Sequence, residues 1–121
     1  MNHSIAKHIT DGERRLLVVL NQIFEMEKKL SLHGDHNNFG RNIDRIKSTI
    51  EELGFFYEDP TGEEFQETRT DLEATIAGKG TEHLRVVEVI KPIIRGGQRA
   101  HSRVLQKGIV VVEEVGKTRG E

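Results

Sequence analysis

The stretch "VVEVIKPIIRGGQRAHSRVLQKGIVVVEE", residues 86–114, decides the fold of the C-terminal half of the chain. Two valine-rich runs stand on either side of a short insert that contains glycine and arginine. β-Branched residues favour strands and glycine favours turns, so the stretch predicts a hairpin of two strands. Pro92 interrupts the first run, which places that part at a sheet edge or in a bulge. The insert "RGGQRAHSR" predicts a long basic loop with Arg95, Arg99 and Arg103.

Two weaker strand candidates precede this hairpin. "FFYEDPTGEEF", residues 55–65, indicates a short extended segment and a surface loop around Pro60 and Gly62. "TDLEATIAGKG", residues 70–80, indicates a strand that glycine closes. Residues 55–115 therefore predict a small antiparallel sheet or open barrel. The last residues, 116–121, contain no apolar anchor and predict a frayed tail.

Upstream of residue 54 the apolar residues recur at helical spacing instead. Residues 5–30 carry a wide apolar stripe, and residues 39–53 carry a second one that steps alternately by four and three. Asn38 is placed to cap the second helix, and Gly54 is a natural stop after it. The fold class is thus α+β, with a helical hairpin in residues 1–54.

The helical hairpin has more apolar surface than two helices need. We expect it to dimerise into a four-helix bundle, because a second copy would bury the excess. The predicted dimer interface consists of Leu16, Leu20, Ile23, Phe39, Ile43, Ile46, Ile50 and Leu53. The alternative is that both helices pack on the β module of the same chain.

Composition limits the classes of protein that remain. The chain has 121 residues, a formal net charge of -2, 31% charged residues and only 35% hydrophobic ones, a lean content for a monomer that must bury its own core. Cysteine is absent, which excludes disulfides and thiolate sites. The first residues are too polar for a secretory signal, and no apolar run approaches the length of a membrane span. We therefore expect a cytoplasmic protein.

The sequence gives little indication of enzymatic activity. His33 and His36 flank Asp35, but this turn offers no identifiable third metal ligand at a distance. "GKGT", residues 78–81, lacks the spacing and the following helix of a phosphate-binding loop. The carboxylate pairs are sequence neighbours, so their side chains diverge. We expect no enzymatic activity, no metal and no cofactor.

The arginines of the hairpin insert have three possible roles. They could neutralise the phosphates of a nucleic acid, blunt an exposed sheet edge, or meet an acidic protein surface. The net acidic chain offers no interleaved aromatic residues for base stacking, which makes nucleic-acid binding the weaker alternative.

Several runs, in the same order, resemble the GrpE-type nucleotide exchange factors of DnaK-type heat-shock chaperones. "RLLVVLNQIFEMEKKL" is similar to the leucine-rich helix of that family, and "IDRIKSTIEELGFFYEDPTGEEF" to its second bundle helix and following extended segment. "DLEATI", "VVEVIKPIIR" and "RVLQKGIVVV" resemble its strand motifs. The resemblance covers residues 15–114. The family's long N-terminal helix is short here, Leu72 stands where the family has histidine, and "QKG" replaces an arginine, proline, alanine run.

The resemblance implies a homodimeric co-chaperone. Its helices would form the four-helix bundle, and its β module would bind the nucleotide-binding domain of the chaperone, hold the cleft open and release ADP. The matched positions imply that Arg103, Ile109 and Val112 lie at the chaperone contact, with Arg99 in the adjoining loop. For Ile109 and Val112 a place in the β core remains equally open. The other functional alternatives are a GrpE-like dimeric adaptor without exchange activity and a basic-hairpin nucleic-acid binder.

Overall fold

The first helix, α1, covers Asp11–His33, and a capping box fixes its start. The computed structural model describes residues 8–115. The Thr10 side chain accepts a hydrogen bond from the Glu13 amide at 3.0 Å, and the Glu13 carboxylate accepts one from the Thr10 amide at 3.1 Å. This reciprocal pair satisfies two otherwise unpaired donors. The helix therefore begins at Asp11, and the first residues of the predicted stripe, 5–7, lie outside the described residues.

The second helix, α2, covers Phe39–Glu52 and is capped by a different residue from the one predicted. Asn38 adopts a left-handed conformation and makes no side-chain capping bond. Instead, the Asp35 carboxylate accepts hydrogen bonds from the amides of Phe39 and Gly40 at 2.7 and 2.8 Å. A carboxylate also complements the positive end of the helix dipole, which an amide does not. Leu53 and Gly54 end the helix where glycine predicts.

Six strands follow and form two three-stranded sheets. Sheet 1 contains β1 (Phe55–Glu58), β4 (Ile93–Gln98) and β5 (His101–Gln106), antiparallel in the order β1-β4-β5. Sheet 2 contains β2 (Leu72–Ala77), β6 (Gly108–Glu114) and β3 (Leu84–Lys91) in the order β2-β6-β3. β3 is antiparallel to β6, but β2 is parallel to it, so the expectation of a purely antiparallel module is wrong. The α+β class is confirmed.

The predicted hairpin is present, but the predicted long loop is not. β4 pairs with β5 as far as Gln98 and His101, so only Arg99 and Ala100 form the turn. Gly97 makes this tight end possible, because its φ is 115° and a Cβ there would lie 2.6 Å from the His101 carbonyl. Glycine inside the insert thus serves the strand pair rather than a loop.

Each arm of the hairpin belongs to both sheets. One arm passes from β3 to β4 through Pro92, and the other from β5 to β6 through Lys107. Pro92 follows a register shift between Val89 and Lys91, which agrees with its predicted place at an irregularity. Gly108 allows the second arm to bend, since a Cβ there would lie 2.9 Å from the Leu72 side chain.

Helices and strands contribute to one hydrophobic core. Phe24 of α1 meets Tyr57 of β1 edge to face, with ring centroids 5.7 Å apart. The Tyr57 hydroxyl donates to the Glu27 carboxylate, which also pairs with Lys47 of α2 at 3.1 Å. Burial, followed by the bond to Glu27, raises the pKa of Tyr57. The buried cluster combines Leu20, Ile23, Phe24, Ile43 and Ile50 of the helices with Tyr57, Leu72, Leu84, Val86, Val89, Ile93, Ile94, Val104, Leu105, Val110 and Val112 of the strands.

Candidate partner-binding surface

No metal centre is formed by the described residues, 8–115. None of their histidine, aspartate and glutamate side chains gather in a group of three suited to a metal ion. The His36 ring contacts the His33 carbonyl at 3.2 Å, a local contact of the turn between the helices. Residues 78–81 lie in the connection between β2 and β3.

Arg99, predicted to meet a partner, binds the chain's own α2. Its guanidinium donates to both carboxylate oxygens of Glu51, at 2.6 and 3.2 Å, and stacks on Phe56 with 4.3 Å to the ring centroid. The hydrogen bond to Arg99 lowers the pKa of the Glu51 carboxyl. A bidentate pair over an aromatic ring is a defined geometry rather than a free surface charge. Arg99 thus fastens the hairpin turn to α2.

Arg103 makes the matching contact to α1. Its guanidinium donates to Glu13 at 2.9 Å, on the same carboxylate that completes the capping box. The Thr10 amide is the first cause, and Arg103 a further one, of a lowered pKa at the Glu13 carboxyl. About half of the Arg103 side chain remains exposed. Both arginines therefore join the β hairpin to the helices within the chain.

Arg95, the third arginine of the insert, belongs to a network that the sequence did not indicate. It donates to Glu58 at 2.8 Å and to Asp71 at 3.1 Å, and Arg69 binds Asp71 through two further hydrogen bonds of 3.0 Å. The partners lie 24 and 37 residues from Arg95 along the chain. The pairing of β1 with β4 brings Glu58 close, and the packing of the two sheets brings Asp71 close, so no local spacing could have revealed them.

The two apolar residues assigned to the chaperone contact lie on opposite faces of sheet 2. Val112 is 0% exposed and belongs to the core. Ile109 is half-buried and lies on the other face, because successive residues of a strand point to opposite sides. Of the two roles left open for this pair, Val112 has the core role, and Ile109 is accessible.

Ile109 is the centre of an apolar patch that we call the outer sheet face, made of Val87, Ile90, Ile109 and Val111. The register places Ile109 between Glu73 and Lys91, and Val111 between Thr75 and Glu88. Val87 and Ile90 occupy the two register shifts of β3 and are 44% and 46% exposed. An exposed apolar centre with a charged rim is the usual anatomy of a protein-binding surface.

A groove extends the outer sheet face towards α1. Its volume is about 410 Å³, and Val18 and Asn21 of α1 line one side while Ile90 and Lys91 of β3 line the other. Val18 is an exposed apolar residue too. Gln22 and Glu25 of α1 also line the groove, so Val18 and Ile90 are its two apolar residues.

A second exposed apolar patch lies on the helices; we call it the helix stripe. It consists of Val19, Met26, Phe39, Ile46 and Leu53, all more than 40% exposed. The spacing within each helix is seven residues, which keeps these side chains on one side of the helix. The remaining predicted interface residues point inwards: Leu20, Ile23, Ile43 and Ile50 are buried, and Leu16 is half-buried.

Comparison with known proteins identifies no relative. No family model matches the chain, no curated protein matches it, and no solved structure matches it. Within the described residues, no helix is long and apolar enough to cross a membrane.

Proposed function

We propose that this protein is a non-enzymatic co-chaperone that binds the nucleotide-binding domain of a DnaK-type chaperone and promotes ADP release. The observation that carries the proposal is the outer sheet face, an accessible apolar centre with a charged rim on a small sheet module. The sequence runs that resemble GrpE-type factors supply the identity of the partner. The two helices followed by six strands agree with the order of elements that the resemblance implies.

Binding alone would promote ADP release, and no covalent bond would be made or broken. A protein that contacts the open form of the nucleotide-binding domain better than the closed form shifts the population towards the open form. The shift is limited by the difference between the two affinities. The β module shares one buried core with the helices and is therefore ordered before it binds. Binding then loses little free energy in ordering the module.

The residues assigned to the contact change in this proposal. Ile109 remains, and Ile90, Val87 and Val111 join it, because they share the exposed face. Arg99 and Arg103 hold the hairpin turn in place, and their guanidinium groups are already engaged by carboxylates. The nearby carboxylates of Glu51 and Glu13 weaken the nucleic-acid alternative as well, because they offset the positive charge that would attract phosphates.

We further propose that two copies associate through the helix stripe. Two exposed apolar rows, one on α1 and one on α2, exceed the scattered exposure that is ordinary for a monomer. Heptad spacing on both helices suits knobs-into-holes packing against the same surface of a second copy, in a two-fold arrangement. The result would be a four-helix bundle with the sheet modules outside it.

The proposal predicts faster ADP release from a DnaK-type chaperone when the protein is added. Ile90→Lys on the outer sheet face should reduce this stimulation by about tenfold or more, because it places a charge in a desolvated contact. Leu32→Lys is the matched control, since Leu32 is 76% exposed at the end of α1 and outside both patches. Release of a fluorescent ADP analogue after mixing, read by stopped flow, measures the effect.

Two results would count against this function. Equal stimulation by the parent and Ile90→Lys would remove the outer sheet face from the contact. A folded parent that binds the chaperone without changing the rate of ADP release would support the dimeric adaptor instead.

A further inference from the structure

β2 is an edge strand of sheet 2 whose outer side lacks a partner among residues 8–115. It pairs with β6 over Leu72–Ala77, in a parallel register without a shift. Outside the strand ladders, no backbone hydrogen bond in this part of the chain reaches β2 residues 72–77.

The hydrogen-bond pattern identifies which backbone groups face outwards. The Gly108 amide donates to the Asp71 carbonyl, and in a parallel ladder every second residue then bonds to the neighbouring strand. Glu73, Thr75 and Ala77 therefore direct their N–H and C=O groups towards β6. The groups of the alternate residues, Leu72, Ala74 and Ile76, point to the free edge.

The edge also lacks the usual protection against strand addition. β3, the opposite edge of sheet 2, has two register shifts and is followed by Pro92. β1 is short, at four residues, and the β5 side chains of Arg103 and Gln106 bond to α1. Bulges, proline, short length and cover are the devices by which edges avoid pairing. β2 has six residues, no register shift and no proline, and its one charged residue is Glu73.

The side chains beside this edge indicate what kind of strand would fit. Ile76 points to the core side, as its alternation with Leu72 and Ala74 requires, yet it is 42% exposed. An added strand would cover it with an apolar side chain. On the outer side Glu73 is exposed and forms no ion pair with any described residue, and a lysine or arginine opposite it would be favourable.

We infer that β2 is a docking site for an extended segment of a partner protein, added as a fourth strand of sheet 2. The segment alternates β-branched residues, which lie beside Ala74 and Ile76, with basic or hydroxyl residues, which lie beside Glu73 and Thr75. Main-chain hydrogen bonds to Ala74 and Ile76 hold it, because Leu72 is already buried. This site lies at the backbone edge of β2, beside the outer sheet face, and does not depend on chaperone binding.

Hydrogen exchange of the full-length protein tests the geometry first. Without ligand, the amides of Ala74 and Ile76 should exchange faster than those of Glu73, Thr75 and Ala77, which bond to β6. If all β2 amides exchange slowly, and more slowly at higher protein concentration, a second copy covers the edge. That result would overturn the inference.

A synthetic probe tests binding. Acetyl-Val-Lys-Val-Thr-Val-Lys-amide should slow exchange at Ala74 and Ile76 and shift the NMR signals of β2. Ala74→Pro should weaken its binding by about tenfold, the value of one main-chain hydrogen bond. Proline is tolerated at an edge position whose N–H faces solvent, so the β6 pairing should persist.

Two altered peptides keep the test independent of any variant's folding. The same peptide with its pairing amides N-methylated should not bind, and the peptide with glutamate in place of both lysines should bind more weakly, because it faces Glu73. Failure of the lysine peptide at millimolar concentration, or equal binding of the N-methylated peptide, would overturn the inference. Neither result would bear on ADP release.

Discussion

At the scale of single residues, guanidinium groups connect parts of the chain that are distant in sequence. Arg99 and Arg103 join the hairpin turn to the two helices, while Arg69 and Arg95 converge on Asp71. The sequence marked the insert arginines as important but assigned Arg99 and Arg103 to a partner. A charge count cannot distinguish a free arginine from a paired one, because the pairing carboxylates come from residues brought close only by the fold.

Asp71 is the carboxylate on which acid sensitivity should depend. Burial acts to raise the pKa of its carboxyl, but hydrogen bonds and charge from Arg69, with the charge of Arg95, outweigh burial and lower that pKa. A group with a lowered folded pKa adds stability above its unfolded pKa of about 3.9, and this stability is lost as pH falls through the folded value. Its contribution therefore disappears on the acid side of about pH 4.

We expect Asp71→Asn to reduce the free energy of unfolding at neutral pH by about 1 kcal/mol, a modest value because the ion pairs are partly screened. The difference from the parent should shrink as pH falls below about 4, since the parent's own carboxyl becomes protonated there. Urea midpoints measured from pH 2 to 7 would test this. Glu67→Gln, an exposed carboxylate without a described ion pair, is the control. A constant difference at all pH values would contradict the assignment.

At the scale of elements, periodicity predicted whether a segment is a helix or a strand better than it predicted what its side chains pack against. The helical steps of residues 39–53 predicted α2, and β-branched content predicted β3 and β6. The facing ends of β4 and β5 lie in the insert that was predicted as a loop. The same steps did not reveal that α2 has two apolar sides. Ile43 and Ile50 face the core of their own chain, whereas Phe39, Ile46 and Leu53 face outwards. A sequence pattern gives the direction of a side chain around the helix axis, but not which surface lies opposite it.

This division makes the proposed dimer testable without unfolding the protomer. Ile46→Lys should convert a dimer to a folded monomer, because Ile46 is 45% exposed within one chain and would be buried only between two. Ile43→Lys should instead unfold the chain, since Ile43 lies in the core. Sedimentation velocity and circular dichroism distinguish the two outcomes. A stable monomer for the unaltered protein would refute the helix stripe as a self-association surface.

At the scale of the whole molecule, the boundary at residue 54 separates the helices from the strands but does not divide the hydrophobic core. The sequence predicted a helical part in residues 1–54 and a β part in residues 55–115, because the periodicity changes there. That division remains a prediction, while the buried cluster runs across it, with Ile43 and Phe24 in the same cluster as Val110 and Val112. The predicted tail, 116–121, lies outside the described residues. Long-range contacts of this kind are set by how sheet and helices pack, which periodicity along the chain does not encode.

A shared core implies a shared unfolding transition. Ile43→Ala removes a buried side chain from α2 and should lower the free energy of unfolding by about 2–5 kcal/mol. Because β6 packs in the same cluster, the amides of Val110 and Val112 should lose protection against hydrogen exchange by the same amount as the amides of α2. Leu32→Ala, at an exposed position, should change neither. Separate melting of the helices, with the protection of Val110 and Val112 unchanged, would mean that the helical hairpin and the β module fold as independent units. If the core is shared and the protein is a dimer, calorimetry should show a single transition whose midpoint rises with protein concentration.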